Sequence, residues 1–211
     1  MLSLLHQDIL TELVNVYIGQ AASLLSEMVN QKIELTIPQI NLMTVSELDL
    51  SEYKYLSVFS SGHVVSSSMS FGNNFQGKAF LVFPLEQAKQ LVTACTGEIE
   101  LPAENDNFVR LVDTDLDILR EIGNLIINAI IGEFGNLLDI RVEYSLPEIE
   151  LISFSETQKV LLHNNIYILV LHTSFTLSKT RITGAVLIAL SLNSVSILLD
   201  KINNLAEELN G

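Results

Sequence analysis

The feature that most constrains the fold of this chain is an internal repeat. When the 211-residue sequence is shifted by 109 positions, residues 8–47 match a later stretch without a gap. The identical pairs include Asp8 and Asp117, Glu12 and Glu121, Asn15 and Asn124, and Pro38 and Pro147. A repeat of this length is one structural unit used twice. We therefore predict two repeats, residues 1–100 and 101–211, that form a single pseudo-two-fold globular domain.

Each repeat begins with a predicted long helix, at residues 4–29 and again at 114–138. Apolar residues recur there at helical spacing: Ile9, Leu13, Val16, Leu24 and Met28 in the first copy, and Ile118, Ile122, Leu125 and Ile126 in the second. A stripe of this kind is typical of a helix face that packs on the core. We therefore expect both stripes to be buried.

Strand patterns follow each helix. Apolar residues alternate with polar ones at Ile33, Leu35 and Ile37, and at Val142, Tyr144 and Leu146, and a proline follows each run. This alternation predicts a half-buried strand that ends at the proline. Further strands are predicted at 57–71, 77–83, 165–176 and 182–191, and closing helices at 84–95 and 192–209. Thr44 with Glu47 and Ser153 with Glu156 resemble capping boxes and predict a short helix or a turn. The order predicts an α/β fold whose long helices pack on one continuous, mostly antiparallel sheet.

Composition limits the partners and the location of the protein. The chain has 25 Asp and Glu against 11 Lys and Arg, for a net charge of -14. Such a surface repels phosphate backbones and anionic lipid, so neither nucleic acid nor a membrane is an expected partner. Cys95 is the only cysteine, which fits a reducing compartment. The longest apolar run, residues 184–199, is too short for a membrane helix. We expect a soluble cytoplasmic protein.

The repeated polar residues of the first helix are the strongest candidates for a functional site. At 100° per residue, Asp8, Glu12 and Asn15 lie within about 60° on one helix face, and Asp117, Glu121 and Asn124 repeat the arrangement. One such trio is most often an ordinary solvated helix face. However, Asn is a mediocre residue inside a helix, and neighbouring surface positions differ between the copies. We therefore expect both trios to face solvent as functional groups.

The full pattern, Asp-x3-Glu-x2-Asn-x22-Pro, resembles the signature of the CheC/CheX/FliY phosphatases of chemotaxis. It is present as Asp8, Glu12, Asn15 and Pro38, and as Asp117, Glu121, Asn124 and Pro147. The resemblance covers essentially the whole chain, because the family architecture also consists of two such repeats. Two complete motifs in a chain of this length look most similar to the CheC type.

The resemblance implies a phosphatase that removes the aspartyl phosphate of a CheY-like receiver. By similarity to the family, Asn15 and Asn124 would orient the attacking water, and Glu12 and Glu121 would pair with the receiver's lysine. Mg²⁺ is expected in the receiver, and no metal or other cofactor is expected in this chain. Pro38 and Pro147 look structural, and no role for Asp8 or Asp117 follows from the sequence.

Two alternatives and one asymmetry stay open at this stage. The resemblance also implies the receptor deamidase CheD as a partner, so the chain is alternatively a non-catalytic docking module. A switch component similar to FliM is the other possibility. Gly123 precedes Asn124, whereas Val14 precedes Asn15. Because glycine weakens a helix by about 1 kcal/mol relative to alanine, we expect the two sites to differ in activity. We expect Cys95 to be a small buried apolar residue.

Overall fold

The computed structural model describes residues 2–37, 40–44, 63–97, 110–153, 167–177 and 180–210. The elements in chain order are α1 (Leu4–Val29), β1 (Ile33–Thr36), β2 (Ile40–Thr44), β3 (His63–Gly72), β4 (Gly77–Pro84), α2 (Leu85–Thr96), α3 (Asp113–Leu138), β5 (Glu143–Tyr144), β6 (Glu148–Ser153), β7 (Tyr167–Leu177), β8 (Thr180–Leu190) and α4 (Leu192–Asn210). The two long helices lie where the sequence predicted them. Among the predicted strands, residues 57–62 and 165–166 fall outside the described ranges.

The described strands form one eight-stranded sheet. Its order is β1-β7-β8-β4-β3-β5, with β2 also paired to β7 and β6 also paired to β3. Every pairing is antiparallel. The predicted fold class, long helices on a continuous and mostly antiparallel sheet, is therefore confirmed.

The sheet interleaves the two halves of the chain. The early strands β1 and β2 pair with β7, which lies in the second half, whereas β5 and β6 pair with β3 of the first half. The central contact is between β4 and β8. If each element is exchanged for its counterpart, the strand order reads the same from the opposite edge. The assignment of the repeats to residues 1–100 and 101–211 stays a prediction.

The two long helices end in the same way. Asn30 follows α1 with φ 50°, and Asp139 follows α3 with φ 53°, both in the left-handed region. In each copy the N–H groups of this residue and of the one after it donate to carbonyls of the last helical turn, and the acceptor residues correspond at the shift of 109. Asn and Asp tolerate this conformation better than most side chains. Both helices therefore leave the last turn along an equivalent path toward the sheet.

The main core lies between the sheet and the helices. All four described helices contribute buried residues to one cluster, including Ile18 of α1, Val92 of α2, Ile130 of α3 and Ile202 of α4. A second cluster lies on the opposite face of the sheet and contains strand residues, among them Phe80 and Val170. Because α1 and α3 also contact each other, the two motif helices lie side by side on the first face.

The predicted apolar stripe of α1 is not its core face. The residues that are buried are Leu10, Val14, Ile18, Ala21, Ala22 and Leu25. By contrast, Val16, Leu24 and Met28 are 56%, 52% and 45% exposed, and Ile9 and Leu13 are half-buried. The prediction that this stripe is buried was therefore wrong, because α1 carries two apolar faces and periodicity alone does not distinguish them. We call Ile9, Leu13, Val16, Leu24 and Met28 the outer stripe of α1. In α3 the prediction was better, because Ile122 and Ile126 are buried.

Because α1 is apolar on two faces and 26 residues long, it has the length and composition of a membrane-crossing helix. It is the one such helix in the described part of the chain. This is weak evidence for a membrane span, because a core helix passes the same test. The inner face of α1 packs against α3 and β1.

The strand after α3 differs from its prediction. β5 has only two residues, Tyr144 is 40% exposed and Leu146 is 86% exposed, so a half-buried strand reaching Leu146 was wrong. The counterpart β1 does follow the predicted alternation. Both β2 and β6 were missed: their last residues, Thr44 and Ser153, were interpreted as the start of a helix or turn, and the residues before them were assigned to no element. Glu47 and Glu156 lie outside the described residues.

Candidate functional site

The structure places the two predicted trios at equivalent positions of α1 and α3. Each carboxylate, Asp8 and Glu12 in α1 and Asp117 and Glu121 in α3, is exposed. The asparagines Asn15 and Asn124 are half-buried. Helical geometry therefore brings each trio onto one face, but only the carboxylates point freely into solvent as the sequence predicted.

The Asn15 side chain is hydrogen-bonded to the backbone of Ile37. Its Nδ2 donates to the Ile37 carbonyl and its Oδ1 accepts from the Ile37 N–H, both at 2.9 Å. An extended residue presents its N–H and C=O on the same side, and a residue before proline is biased toward extended backbone. The amide of Asn15 matches that pair of groups. In the first copy this contact gives a physical reason for the spacing between the asparagine and the proline of the motif. Pro38 itself lies outside the described residues.

Asn124 has a different environment. Its Oδ1 accepts a hydrogen bond of 2.8 Å from Nδ2 of Asn128, one turn later on α3. Its own Nδ2 donates to no group in the described part of the chain. Leu146, the counterpart of Ile37, receives its carbonyl bond from Ser145 instead. The second asparagine is therefore braced by a side chain and keeps a free donor. Pro147 is half-buried and stands between β5 and β6.

The four carboxylates also differ between the copies. Arg120 donates to Asp117 in an ion pair on the exposed face of α3, whereas position 11 of α1 is a threonine. Glu12 and Glu121 have no hydrogen-bond or ion-pair partner among the residues that the structure describes. An unpaired, exposed carboxylate is available to a cation of a partner protein. Arg120 and Asn128 were not predicted from the sequence, although Arg120 lies three residues from Asp117 and Asn128 lies four residues from Asn124, which are the spacings of neighbours on a helix surface.

Gly123 has a packing role. A Cβ at this position would lie 2.1 Å from Oγ of Ser67 and 2.5 Å from its Cβ, on strand β3. The glycine therefore lets α3 lie closer to the sheet than any other residue would allow. The expectation that Gly123 loosens the helix was incomplete, because the position is buried and closely packed. The expected difference in activity between the two sites stays a prediction.

The beginning of α3 is fixed by a partly buried ion pair. Asp115 is buried, and its Oδ2 accepts from Lys89 Nζ at 2.9 Å and from the Val112 N–H at 3.0 Å. Lys89 belongs to α2, so this contact ties two helices together. In α1 the same turn is capped by Ser3 and His6, each of which accepts from the other's backbone N–H. Both motif helices thus begin at a defined position, which orients the residues one to two turns later.

No group of three or more His, Cys, Asp or Glu side chains suited to a metal ion occurs within the described ranges. The exposed carboxylates of the motif faces stand one turn apart on their helices rather than converging on one point. What the two faces offer is a pair of free glutamates and, on α3, one amide with a free donor, a set suited to binding a cation and orienting a small polar molecule.

Solved structures share this fold. The crystal structure of FliY from Thermotoga maritima matches with a TM-score of 0.72 and 17% sequence identity, over 97% of this chain and 98% of that one. The FliM middle domain from H. pylori matches with a TM-score of 0.64 and 12% identity, over 95% and 99% of the two chains. The class of fold is therefore that of the FliY and FliM domains.

A sequence relative is more specific. The chain is 24% identical over 151 residues to the CheY-P phosphatase CheC of Bacillus subtilis (strain 168), a match that covers 71% of this chain and 68% of the relative. No family model matches the chain. The relative and the shared fold agree with the repeated motif, and the resemblance to the CheC/CheX/FliY family is confirmed.

Proposed function

We propose that this chain is a phosphatase of the CheC type that hydrolyses the aspartyl phosphate of a CheY-like receiver in the cytoplasm. The observation that carries the proposal is the pair of exposed helix faces, each with a Glu and an Asn at the same spacing. The similarity to CheC, which is described as a CheY-P phosphatase, supports the same activity. Chemotaxis, or a related two-component pathway, is the proposed process.

The glutamates are proposed to anchor the receiver. Glu12 and Glu121 are exposed, and neither has a partner in the described part of the chain. A lysine beside the receiver's phosphorylation site would supply the missing cation. Charge-assisted hydrogen bonds of this kind are about twice as strong as neutral ones. The net charge of -14 would also favour the approach of a basic surface.

The asparagines are proposed to orient the attacking water. An amide both donates and accepts hydrogen bonds, so it can hold a water in line with the phosphorus–oxygen bond that breaks. The products are inorganic phosphate and the free carboxylate of the receiver. Positioning supplies a large share of phosphoryl-transfer catalysis. Mg²⁺ would be bound by the receiver, so this chain would need no metal of its own.

The two asparagines are proposed to contribute unequally. Nδ2 of Asn124 is free and the side chain is braced by Asn128, so this amide is ready to bind a water. Asn15 would first have to leave the Ile37 backbone. We therefore propose that the site on α3 carries most of the activity.

The experiment is the loss of acyl phosphate from a cognate receiver, phosphorylated in the presence of Mg²⁺, with and without this protein. The double variant Asn15→Ala/Asn124→Ala should abolish the acceleration. Asn193→Ala, which changes an exposed asparagine of α4, is the matched control and should leave it unchanged. If the wild type does not accelerate phosphate loss from any receiver of the organism, the phosphatase proposal is wrong.

A second candidate function is non-catalytic docking, of CheD or within a switch assembly similar to FliM. The two hydrogen bonds of Asn15 favour it, because they give this asparagine a structural purpose that a docking protein would also need. The fold shared with FliM is consistent with it. Binding of CheD by the double variant, measured by calorimetry, separates the two. Docking alone predicts unchanged CheD affinity and no phosphatase activity in either form.

A further inference from the structure

The outer stripe of α1 is an apolar surface that the proposed phosphatase reaction does not use. Val16, Leu24 and Met28 are about half exposed, and Leu24 and Met28 lie two to four turns beyond Asn15. Soluble proteins seldom keep several large apolar side chains aligned and exposed without a partner.

The second repeat shows that the fold does not require this helix face to be exposed. At the shift of 109, Leu24 corresponds to Glu133 and Val16 to Leu125. Glu133 is buried and Leu125 is half-buried on α3. The same helix face is therefore covered in the second copy and open in the first. Core packing accounts for the residues in α3, but not for the exposed Val16, Leu24 and Met28 in α1.

The spacing of the outer stripe suits a helical partner. Ile9, Leu13 and Val16 follow at intervals of four and three residues, and Leu24 and Met28 at an interval of four. The stripe from Ile9 to Met28 is about 28 Å long at 1.5 Å per residue. Apolar anchors at these intervals are what one amphipathic helix presents to another.

The charges on α1 select the kind of helix. The helix contains three acidic residues, Asp8, Glu12 and Glu27, and no Lys or Arg. A second copy of α1 would bring these carboxylates against each other with no cation between them. An anionic membrane would be repelled in the same way. A partner helix with Lys or Arg beside its apolar face would instead be attracted.

We propose that the outer stripe of α1 binds an amphipathic helix of another protein, one whose apolar face is flanked by Lys and Arg. Receiver dephosphorylation does not require this interaction, although Glu12 borders both surfaces, and the interaction gives the first repeat a function that the second repeat lacks.

The test uses two synthetic helical peptides with the same leucine stripe, one flanked by lysines and the other by glutamates. Binding of each labelled peptide to the full chain is followed by fluorescence anisotropy at physiological salt. The lysine peptide should bind about tenfold tighter or more, equivalent to at least about 1.4 kcal/mol. Leu24→Ser/Met28→Ser should weaken its binding by a similar factor. Leu192→Ser, which removes an apolar side chain that is 61% exposed on α4, should not.

Three results would overturn this proposal. The first is equal affinity for the two peptides, or no binding of either. The second is equal weakening by the stripe variant and by the Leu192 control. The third is a wild-type dimer in sedimentation that the stripe variant loses, which would make a second copy the partner. Circular dichroism and thermal melting establish that both variants fold. The stripe variant should keep its receiver phosphatase rate, so failure of either proposal is recognised independently.

Discussion

Replacement by alanine should affect mainly stability at one motif asparagine and mainly activity at the other. Asn15→Ala removes two hydrogen bonds to the backbone of Ile37, whose side chain is fully buried. Asn124→Ala removes one bond to Asn128 on a half-exposed helix face. We expect Asn15→Ala to destabilise the fold and Asn124→Ala to reduce the phosphatase rate.

The magnitudes follow from the contacts. Two hydrogen bonds contribute about 0.5–1.5 kcal/mol each, and unsatisfied buried backbone groups add to the loss. Alanine recovers about 0.5 kcal/mol as a better helix former. The net loss for Asn15→Ala is therefore about 2 kcal/mol, or a fall in Tm of roughly 4–8 °C for a chain of this size. For Asn124→Ala the two terms nearly cancel, so stability should change by less than about 0.5 kcal/mol.

The same energy sets the difference in activity. If Asn15 must release Ile37 before it can hold a water, an opening cost of about 2 kcal/mol leaves roughly one molecule in thirty competent at that site. Most of the turnover should therefore depend on Asn124. Asn124→Ala should remove nearly all of the acceleration, and Asn15→Ala only a small part at temperatures where it stays folded.

Urea unfolding followed by circular dichroism measures the stability, and phosphate release from the phosphorylated receiver measures the rate. Asn193→Ala should match the wild type in both. The reasoning is refuted if Asn15→Ala keeps the wild-type midpoint, because the two hydrogen bonds would then contribute nothing. Equal losses of rate in the two variants would refute the idea that the sites are unequal.

Three further predictions concern the residues that support the site. Gly123→Ala should destabilise the protein by about 1–3 kcal/mol, because the added Cβ overlaps a side chain of β3. Gly19→Ala, whose added Cβ meets nothing within 4 Å, should instead stabilise the protein by up to about 1 kcal/mol. Thermal melting of the two variants compares these effects. Lys89→Met leaves the buried Asp115 without its cation and should cost about 1–3 kcal/mol in urea unfolding, with the loss shrinking in the double variant that also carries Asp115→Asn. Burial raises the pKa of the Cys95 thiol to about 11, so alkylation should be much slower in the folded than in the unfolded chain at pH 9. Since the folded thiol keeps its proton longer, stability should fall as the pH rises from about 9 through 11, and Cys95→Ala should remove that part of the pH dependence.

The repeat was the part of the fold most accessible from sequence. A gapless match predicts that the two long helices have the same length, because the spacing between Asp8 and Pro38 is kept in both copies. It also located the carboxylates, whose exposure needs only helical geometry. The strand pairing could not be read from the sequence, since β1 finds its neighbour in β7, far along the chain.

The errors in the prediction have physical causes. Val16 and Leu24 have the periodicity of core residues, but the inner face of α1, with Leu10 and Val14, has it too. Only the position of the sheet determines which of the two faces is buried. The hydrogen bonds between Asn15 and Ile37 were missed for a related reason. The spacing of residues along a helix does not show whether an asparagine side chain faces solvent or bonds to the backbone of another segment.

The interleaving of the sheet has a consequence for how the protein is synthesised. Ile33 pairs with Leu177, so β1 leaves the ribosome long before its neighbour exists. At about 5–20 residues per second, that delay is roughly 7–30 s. During this interval α1, apolar on two sides, has no sheet to cover its inner face. The nascent first half is therefore a natural client for chaperones, and a premature stop before β7 would leave it permanently in that state.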